Sequence, residues 1–87
     1  MFIILVYDVN EKRVGKMLKT CRKYLNWVQN SVLEGDISEA ALKKLMIEIG
    51  RIVDKEEDSV IIYNLRTTKY YSRELIGLKK GGGDIII

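Results

Sequence analysis

The sequence predicts an α+β protein in which two helices cover one face of a mainly antiparallel sheet. Two short apolar runs, at residues 2–7 and 59–64, are rich in β-branched side chains and are typical of buried strands. Two longer segments, at residues 11–26 and 36–53, repeat apolar residues at the spacing of an amphipathic helix. The chain has 87 residues, which is enough for one domain and excludes a second.

The first strand and the first helix follow each other closely. The run FIILVY at residues 2–7 does not alternate, so it fits a strand that is buried on both faces. Asp8 ends this run, and the helix is predicted from Glu11 to about Asn26. The apolar face of this helix consists of Val14, Met17, Leu18, Cys21, Tyr24 and Leu25.

The middle of the chain contains a strand region and the second helix. Residues 27–34 have strand character that is interrupted at positions 30–31, so they form either one bent strand or a tight hairpin. Asp36 or Ser38 can cap the second helix, which is predicted to continue to about Val53. Its apolar stripe consists of Leu42, Leu45, Met46, Ile49, Ile52 and Val53.

The last part of the chain is predicted to hold two strands and a tail. The acidic residues 54–58 are interpreted as a solvated turn before the second apolar run, and a further strand is predicted around residues 70–76. A hairpin at residues 27–36 would complete the βαββαβ order of a ferredoxin-like sandwich. We therefore predict a ferredoxin-like domain over residues 1–78 and a separate tail at residues 79–87.

The tail favours a homodimer. Residues 79–87 place a triple glycine before three isoleucines, and these fit a strand that pairs with a sheet edge of the same chain or of a partner. A monomer of this size buries only about 64% of its unfolded surface, although 47% of the residues are hydrophobic. We therefore expect a homodimer in which the C-terminal strands are exchanged.

The composition excludes several types of chemistry. The chain has no histidine, so it cannot form a Ser-His-Asp triad, a Cys-His pair or a His-ligated zinc site. The single cysteine, Cys21, is interpreted as a buried small residue, and a lone cysteine indicates a reducing compartment. No targeting or membrane-spanning segment is recognisable, so we expect a cytoplasmic location and no membrane partner.

Asp8 is the leading candidate for chemistry. It follows a buried strand and precedes a helix, so its carboxylate can be held rigidly at the edge of the core. Such a carboxylate can ligate a hard cation such as Mg²⁺ or Mn²⁺, although helix capping is the commoner role of an aspartate at this position. One carboxylate alone makes a poor metal site. The metal interpretation therefore requires two copies of Asp8 that face each other in a dimer.

The first helix carries a stripe of lysines on the side opposite its apolar face. The stripe consists of Lys12, Lys16, Lys19 and Lys23. Arg13 and Arg22 flank the stripe, and residues 1–30 carry six basic side chains against two acidic ones. This pattern fits contact with a phosphate backbone, and an ordinary polar helix face explains it as well. Trp27 and the five tyrosines are interpreted as core and interface residues rather than base-stacking surfaces.

Four short segments occur together in a recognisable order. The segments VYDV, VQNSVLEG, DSVIIY and ELIG stand at residues 6–9, 28–35, 58–63 and 74–77. In this order and at this length, with a basic first helix, the chain resembles the CRISPR-associated protein 2 family over nearly its whole extent. The sequence departs from the family at Trp27, where arginine is frequent, and at Leu33, where phenylalanine is frequent.

The resemblance implies a ferredoxin-like homodimer whose terminal strands cross to the partner. It also implies a metal-dependent nuclease for RNA or DNA, with one Mg²⁺ or Mn²⁺ ion shared between the Asp8 residues of two subunits. The family serves CRISPR adaptation, in which it bridges dimers of the CRISPR-associated integrase and contacts duplex DNA. The expected partners are therefore a second copy of the chain, the integrase, and duplex DNA or single-stranded RNA. Asp8 is thus the expected catalytic and metal-binding residue. The expected nucleic-acid contacts, taken from the basic helix, are Lys12, Arg13, Lys16, Lys19 and Lys23.

Two other functions stay open at this point. The first is a non-catalytic adaptor that binds duplex DNA and the integrase, because the nuclease activity is dispensable for that role in some members of the family. The second is a small regulatory dimer of ferredoxin-like fold that senses a ligand. This last alternative predicts no salt-dependent affinity for nucleic acid.

Overall fold

The computed structural model describes residues 1–65. Its helices and strands are β1 (Phe2–Asp8), α1 (Glu11–Cys21), β2 (Asn26–Gln29), β3 (Val32–Asp36), α2 (Glu39–Gly50) and β4 (Ser59–Leu65). This βαββαβ order confirms the predicted ferredoxin-like α+β class. Neither α1 nor α2 is long and apolar enough to cross a membrane. The strand expected around residues 70–76 and the tail at residues 79–87 lie outside the described residues.

β1 lies inside the four-stranded sheet, whose order is β2-β3-β1-β4. It pairs antiparallel with β3 on one side and with β4 on the other. The pairing with β4 runs from Phe2 opposite Leu65 to Asp8 opposite Ser59. Residues 3–5 at the centre of β1 are inaccessible to solvent. Because the centre of β1 is covered on both edges and both faces, its sequence needs no alternation, as predicted.

The region between the helices is a hairpin, so the bent-strand alternative is wrong. β2 and β3 pair antiparallel, with Trp27 opposite Leu33. Residues 30–31 form the turn, and Asn30 has a φ of 43° there. Asparagine tolerates this left-handed conformation better than most residues. The Asn-Ser pair therefore reverses the chain instead of bending a single strand.

α1 ends at Cys21, well before the predicted end, so this part of the prediction is wrong. Residues 22–24 form a turn, and the Leu25 amide donates a hydrogen bond to the Cys21 carbonyl oxygen at 2.9 Å. Asn26 already pairs with Glu34 in the hairpin. The apolar spacing continues past Cys21 because Leu25 returns to the core from the turn without being helical.

α2 begins at one of the two predicted caps and ends earlier than predicted. The Ser38 hydroxyl accepts a hydrogen bond from the Ala41 amide at 3.1 Å, which is the geometry of an N-cap. The helix ends at Gly50. The predicted apolar stripe includes Met46, but this side chain is exposed. Met46 lies about 100° around the helix from the buried Leu45, at the outer edge of the stripe.

The main core lies between the two helices and one face of the sheet. Its central side chains are Ile3, Leu5, Tyr7, Met17, Cys21, Leu33, Leu45 and Ile49. Cys21 is fully buried, as predicted, and burial raises the pKa of its thiol to about 11. A second apolar cluster surrounds Ile4 and Val32. It lies on the opposite, helix-free face because side chains alternate along β1.

A glycine in α1 provides a test of the position of this helix. Gly15 is exposed, and apart from its chain neighbours and the backbone of α1 no atom of residues 1–65 lies within 4 Å of the position that a Cβ would occupy. We expect Gly15→Ala to raise the free energy of unfolding by about 0.5–1 kcal/mol, because alanine loses less backbone entropy in a helix. Leu5→Ala should instead lower it by about 2–5 kcal/mol. Both values can be measured by chemical denaturation, and a destabilised Gly15→Ala variant would contradict the exposed placement.

Candidate functional site at the end of the first strand

Asp8 stands at the carboxyl end of β1 and is exposed. Its carboxylate forms no hydrogen bond or ion pair with any residue between 1 and 65. The capping role belongs to Asn10, whose side-chain oxygen accepts a hydrogen bond from the Lys12 amide at 3.1 Å. The helix-capping alternative for Asp8 is therefore wrong. What remains is a carboxylate on a strand end whose backbone is fixed by the sheet, with oxygen atoms that have no partner within residues 1–65.

The sheet register places Asp8 at the end of an apolar row. Side chains alternate along β1, so Asp8 lies on the same face as Ile4 and Val6, which is the helix-free face. Val6 pairs with Ile61, and Ile61 is 49% exposed. Asp8 itself pairs with Ser59. An accessible apolar side chain thus stands close to the exposed carboxylate.

A second aspartate, Asp58, holds the backbone around Asp8 in place. Its side chain is fully buried. The Asn10 amide donates to one carboxylate oxygen at 2.9 Å, and the Asp54 amide donates to the other at 2.8 Å. The Arg13 guanidinium donates to both oxygens, through Nε at 2.6 Å and through Nη2 at 3.1 Å. These four hydrogen bonds join the start of α1 to the turn that precedes β4.

The ion pair of Asp58 with Arg13 shifts the pKa of both groups. Hydrogen bonds from the guanidinium hold the pKa of Asp58 well below its usual range. Asp58 and Glu57 together raise the pKa of Arg13. Interpreting residues 54–58 as a solvated turn is therefore wrong for Asp58. Sequence reasoning missed it as a site residue, although it begins the DSVIIY segment and directly precedes the partner of Asp8.

The five predicted nucleic-acid contacts differ in their surroundings. The side chain of Arg13 is only 17% exposed and pairs with Glu57 and Asp58. Lys23 pairs with Glu48 of α2, which also accepts a hydrogen bond from the Tyr24 hydroxyl. The exposed side chains that form no ion pair within residues 1–65 are Lys12, Lys16 and Lys19.

A cleft lies beside Asp8 between α1 and the hairpin. It has a volume of about 360 Å³ and is lined by Tyr7, Asp8, Val9, Val14, Leu18, Trp27, Asn30 and Ser31. Trp27 is 48% exposed, so its interpretation as a core residue is wrong for the described chain. The reason is that β2 lies at an edge of the sheet, where α1 has already ended.

The carboxylates of the described chain do not cluster into a metal centre. No group of three or more cysteine, aspartate or glutamate side chains within residues 1–65 is arranged to hold a metal ion. Asp8 and Asp58 lie close in the sheet register, but only Asp8 presents unoccupied oxygen atoms. Within residues 1–65, the structure therefore leaves Asp8 as a single potential ligand.

The βαββαβ order and the strand order β2-β3-β1-β4 place the chain among the ferredoxin-like α+β proteins. The family model of the CRISPR associated protein Cas2 matches residues 1–73, and the chain belongs to this family. The resemblance found in the sequence is thereby confirmed.

Individual relatives agree with this assignment. A CRISPR-associated endoribonuclease Cas2 of Dictyoglomus turgidum is 53% identical over 87 residues, which cover 100% of both chains. A protein of the same name from Thermotoga maritima is 53% identical over 81 residues, or 93% of each chain. A crystal structure of Cas2 superposes with a TM-score of 0.83 at 42% identity, covering 100% of this chain and 98% of the other.

Asp58 leads to a prediction about acid stability. The pKa of an aspartate in the unfolded chain is about 3.9, whereas hydrogen bonds from Arg13 lower the pKa of Asp58 in the folded chain. Its stabilising effect is therefore complete above about pH 3.9 and is lost as the pH falls below that value. We expect Asp58→Asn to be less stable than the parent at pH 7 and to lose less stability between pH 6 and pH 3.

The measurement is urea denaturation at a series of pH values. Asp36→Asn is the matched control, because Asp36 also ends a strand of the sheet but is exposed. An Asp58→Asn variant with the same acid sensitivity as the parent would rule out Asp58 as the source of this effect.

Proposed function

We propose that the chain is a homodimeric CRISPR adaptation protein that cleaves phosphodiester bonds in RNA or DNA with the help of Mg²⁺ or Mn²⁺. The observation that carries the proposal is the exposed carboxylate of Asp8 at the end of β1, which has no partner within residues 1–65. The endoribonuclease names of the relatives from Dictyoglomus turgidum and Thermotoga maritima support the reaction class. The RNA or DNA substrate is expected in the cytoplasm.

The donor atoms at Asp8 fit such an ion. A free carboxylate oxygen is the hard ligand that Mg²⁺ and Mn²⁺ prefer, and no group within residues 1–65 competes for it. When bound, the ion would activate water and stabilise the charge that develops on the scissile phosphate. Asp8 is the residue that would hold it, and the hydrogen bonds of Asp58 with Asn10 and Arg13 fix the backbone that follows Asp8.

A second copy of the chain supplies the missing ligand in this proposal. Asp8 lies at the end of the helix-free face, beside Ile61, whose side chain is half exposed. Packing of two such faces would bury apolar surface and bring two Asp8 carboxylates together. Two like charges at short range favour a shared cation. The proposed homodimer therefore shares one ion between the two Asp8 residues.

The basic face of α1 would hold the phosphate backbone. Lys12, Lys16 and Lys19 are exposed and have no acidic partner within residues 1–65, so their charges are available. Lysine contacts of this kind add affinity without reading the base sequence. Lys23 and Arg13 are paired with carboxylates within the chain, so their charges are largely neutralised and they would add little to phosphate binding.

The same three lysines favour a second candidate function. They are placed on α1 independently of Asp8, so they would bind duplex DNA even if no bond were cleaved. In that case the protein is an adaptor that joins DNA to the CRISPR-associated integrase. Spacer acquisition separates the two functions. Asp8→Ala retains acquisition in the adaptor, whereas charge reversal at Lys16 and Lys19 abolishes it.

Replacement of Asp8 tests the catalytic proposal. Because the carboxylate has no partner within residues 1–65, Asp8→Asn should fold like the parent. We expect it to lose at least about a hundredfold in metal-dependent cleavage of RNA or duplex DNA, since a metal ion contributes several kcal/mol to such a reaction. Cleavage is followed with Mg²⁺, with Mn²⁺ and with a chelator. Asp36→Asn should keep full activity, and undiminished cleavage by Asp8→Asn would assign the activity to a contaminant.

Charge reversal tests the basic face. The double variant Lys16→Glu, Lys19→Glu should bind duplex DNA more weakly, and the slope of log K against log salt should fall by about two. The matched control is Lys43→Glu, Lys44→Glu, which changes two exposed lysines of α2 by the same charge. Equal losses of affinity in both double variants would mean that net charge, and not the face of α1, governs binding.

A further inference from the structure

We propose that the cleft between α1 and the hairpin binds one unpaired nucleobase of a single-stranded RNA or DNA substrate, with the indole ring of Trp27 as the stacking surface. This inference rests on the proposed function, because it assumes that nucleic acid lies next to Asp8. It adds a residue of this chain, Trp27, that would hold a base of the substrate beside Asp8.

The exposure of Trp27 is the first observation. A large aromatic side chain that is 48% exposed forgoes much of the free energy that burial would provide. The ring is nevertheless held in place, because the indole Nε1 donates a hydrogen bond to the Asn30 carbonyl oxygen at 2.9 Å. Asn30 belongs to the hairpin turn. The protein thus presents a fixed aromatic surface, which loses little conformational freedom when a base stacks on it.

The charge over one face of the ring is the second observation. The guanidinium carbon of Arg22 lies 5.6 Å from the centre of the Trp27 ring, within the range of a cation–π contact. Arg22 is exposed and forms no ion pair within the described part of the chain. It also lines a neighbouring groove with Lys19. Arg22 thus lies over one face of the ring, so a base would stack on the other face, and the basic side chains nearby suit the phosphate attached to that base.

The shape and lining of the cleft are the third observation. Its volume of about 360 Å³ lies in the usual range of small-molecule sites. Val9, Val14 and Leu18 provide apolar walls, which suit the faces and edges of a flat heterocycle. In a duplex the base faces are already stacked on their neighbours. Only an unpaired base can therefore offer a face to Trp27.

The cleft is placed correctly for cleavage. Asp8 lines it at the end of β1, while Trp27 lines it from β2. A base on Trp27 would therefore hold its own backbone phosphate near the proposed metal ligand. Proximity of this kind lowers the barrier to reaction because the reacting groups are already oriented.

Fluorescence gives a direct test, because Trp27 is the sole tryptophan of the chain. The full chain without divalent metal is titrated with a single-stranded oligoribonucleotide, with the single-stranded DNA of the same sequence and with its duplex. We expect both single strands to quench the emission of Trp27, because a base stacks on the ring. The duplex should bind with little change in the emission.

Variants of Trp27 provide the second readout. Trp27→Leu should lower the affinity for single strands by about ten- to a hundredfold, the range found when a stacking side chain is removed. It should leave the affinity for the duplex unchanged, and Trp27→Phe should keep most of the affinity for single strands. Lys16→Glu is the control. It should lower the affinity for single strands and for the duplex, and the quenching at saturation should equal that of the parent.

The outcomes separate this inference from the proposed function. Salt-dependent binding of single strands without quenching, and with equal affinity in Trp27→Leu, would overturn the base site and leave the nuclease proposal intact. Trp27→Leu could instead change the sedimentation coefficient and keep its affinity for single strands. That result would also overturn the base site, since Trp27 would then belong to a protein interface. Absence of binding to any of the three ligands would overturn both proposals. If Trp27→Leu fails to fold, the quenching of the parent and the affinity of Trp27→Phe decide the question.

Discussion

Pairing of β1 along both edges determines the position of nearly every other element. β3 and β4 must flank it antiparallel, so both helices have to cross on the same side of the sheet. The centre of β1 is then shielded from solvent, and polar side chains are tolerated only where the strand ends. Asp8 occupies that end. The chemistry of the site therefore depends on a strand whose backbone hydrogen bonds leave it little freedom to move.

Two aspartates near this strand end have opposite surroundings. Asp58 is buried and accepts hydrogen bonds from two backbone amides and from both ends of a guanidinium fork. Asp8 pairs in the sheet with Ser59, the residue that follows Asp58, and its carboxylate has none of these partners. The carboxylate of Asp58 thus stabilises the backbone, whereas the carboxylate of Asp8 is available to a ligand. The difference arises from burial and hydrogen bonding, because the two side chains are chemically identical.

The sequence was informative wherever local chemistry decides the outcome. The unbroken apolar run of β1, the cap at Ser38 and the burial of Cys21 follow from side-chain type alone. The end of α1 could not be predicted in the same way, because Leu25 is apolar in both a helix and a turn, and pairing of the hairpin decides between them. Asp58 and Trp27 escaped prediction because their surroundings come from distant segments. Nothing in the local sequence at residues 54–58 indicates that Asp58 pairs with Arg13 and is buried.

The pairing of β1 with β4 also has a consequence for folding. α1 and the β2–β3 hairpin are made of contacts between residues close in sequence, which form quickly. Phe2, by contrast, meets Leu65 at the far end of the described chain, so a long loop must close before this ladder can form. During synthesis on the ribosome, the neighbour of Asp8 in β4 is not available until most of the chain has been made. The strand end that carries the site is therefore completed late, after the basic helix has formed.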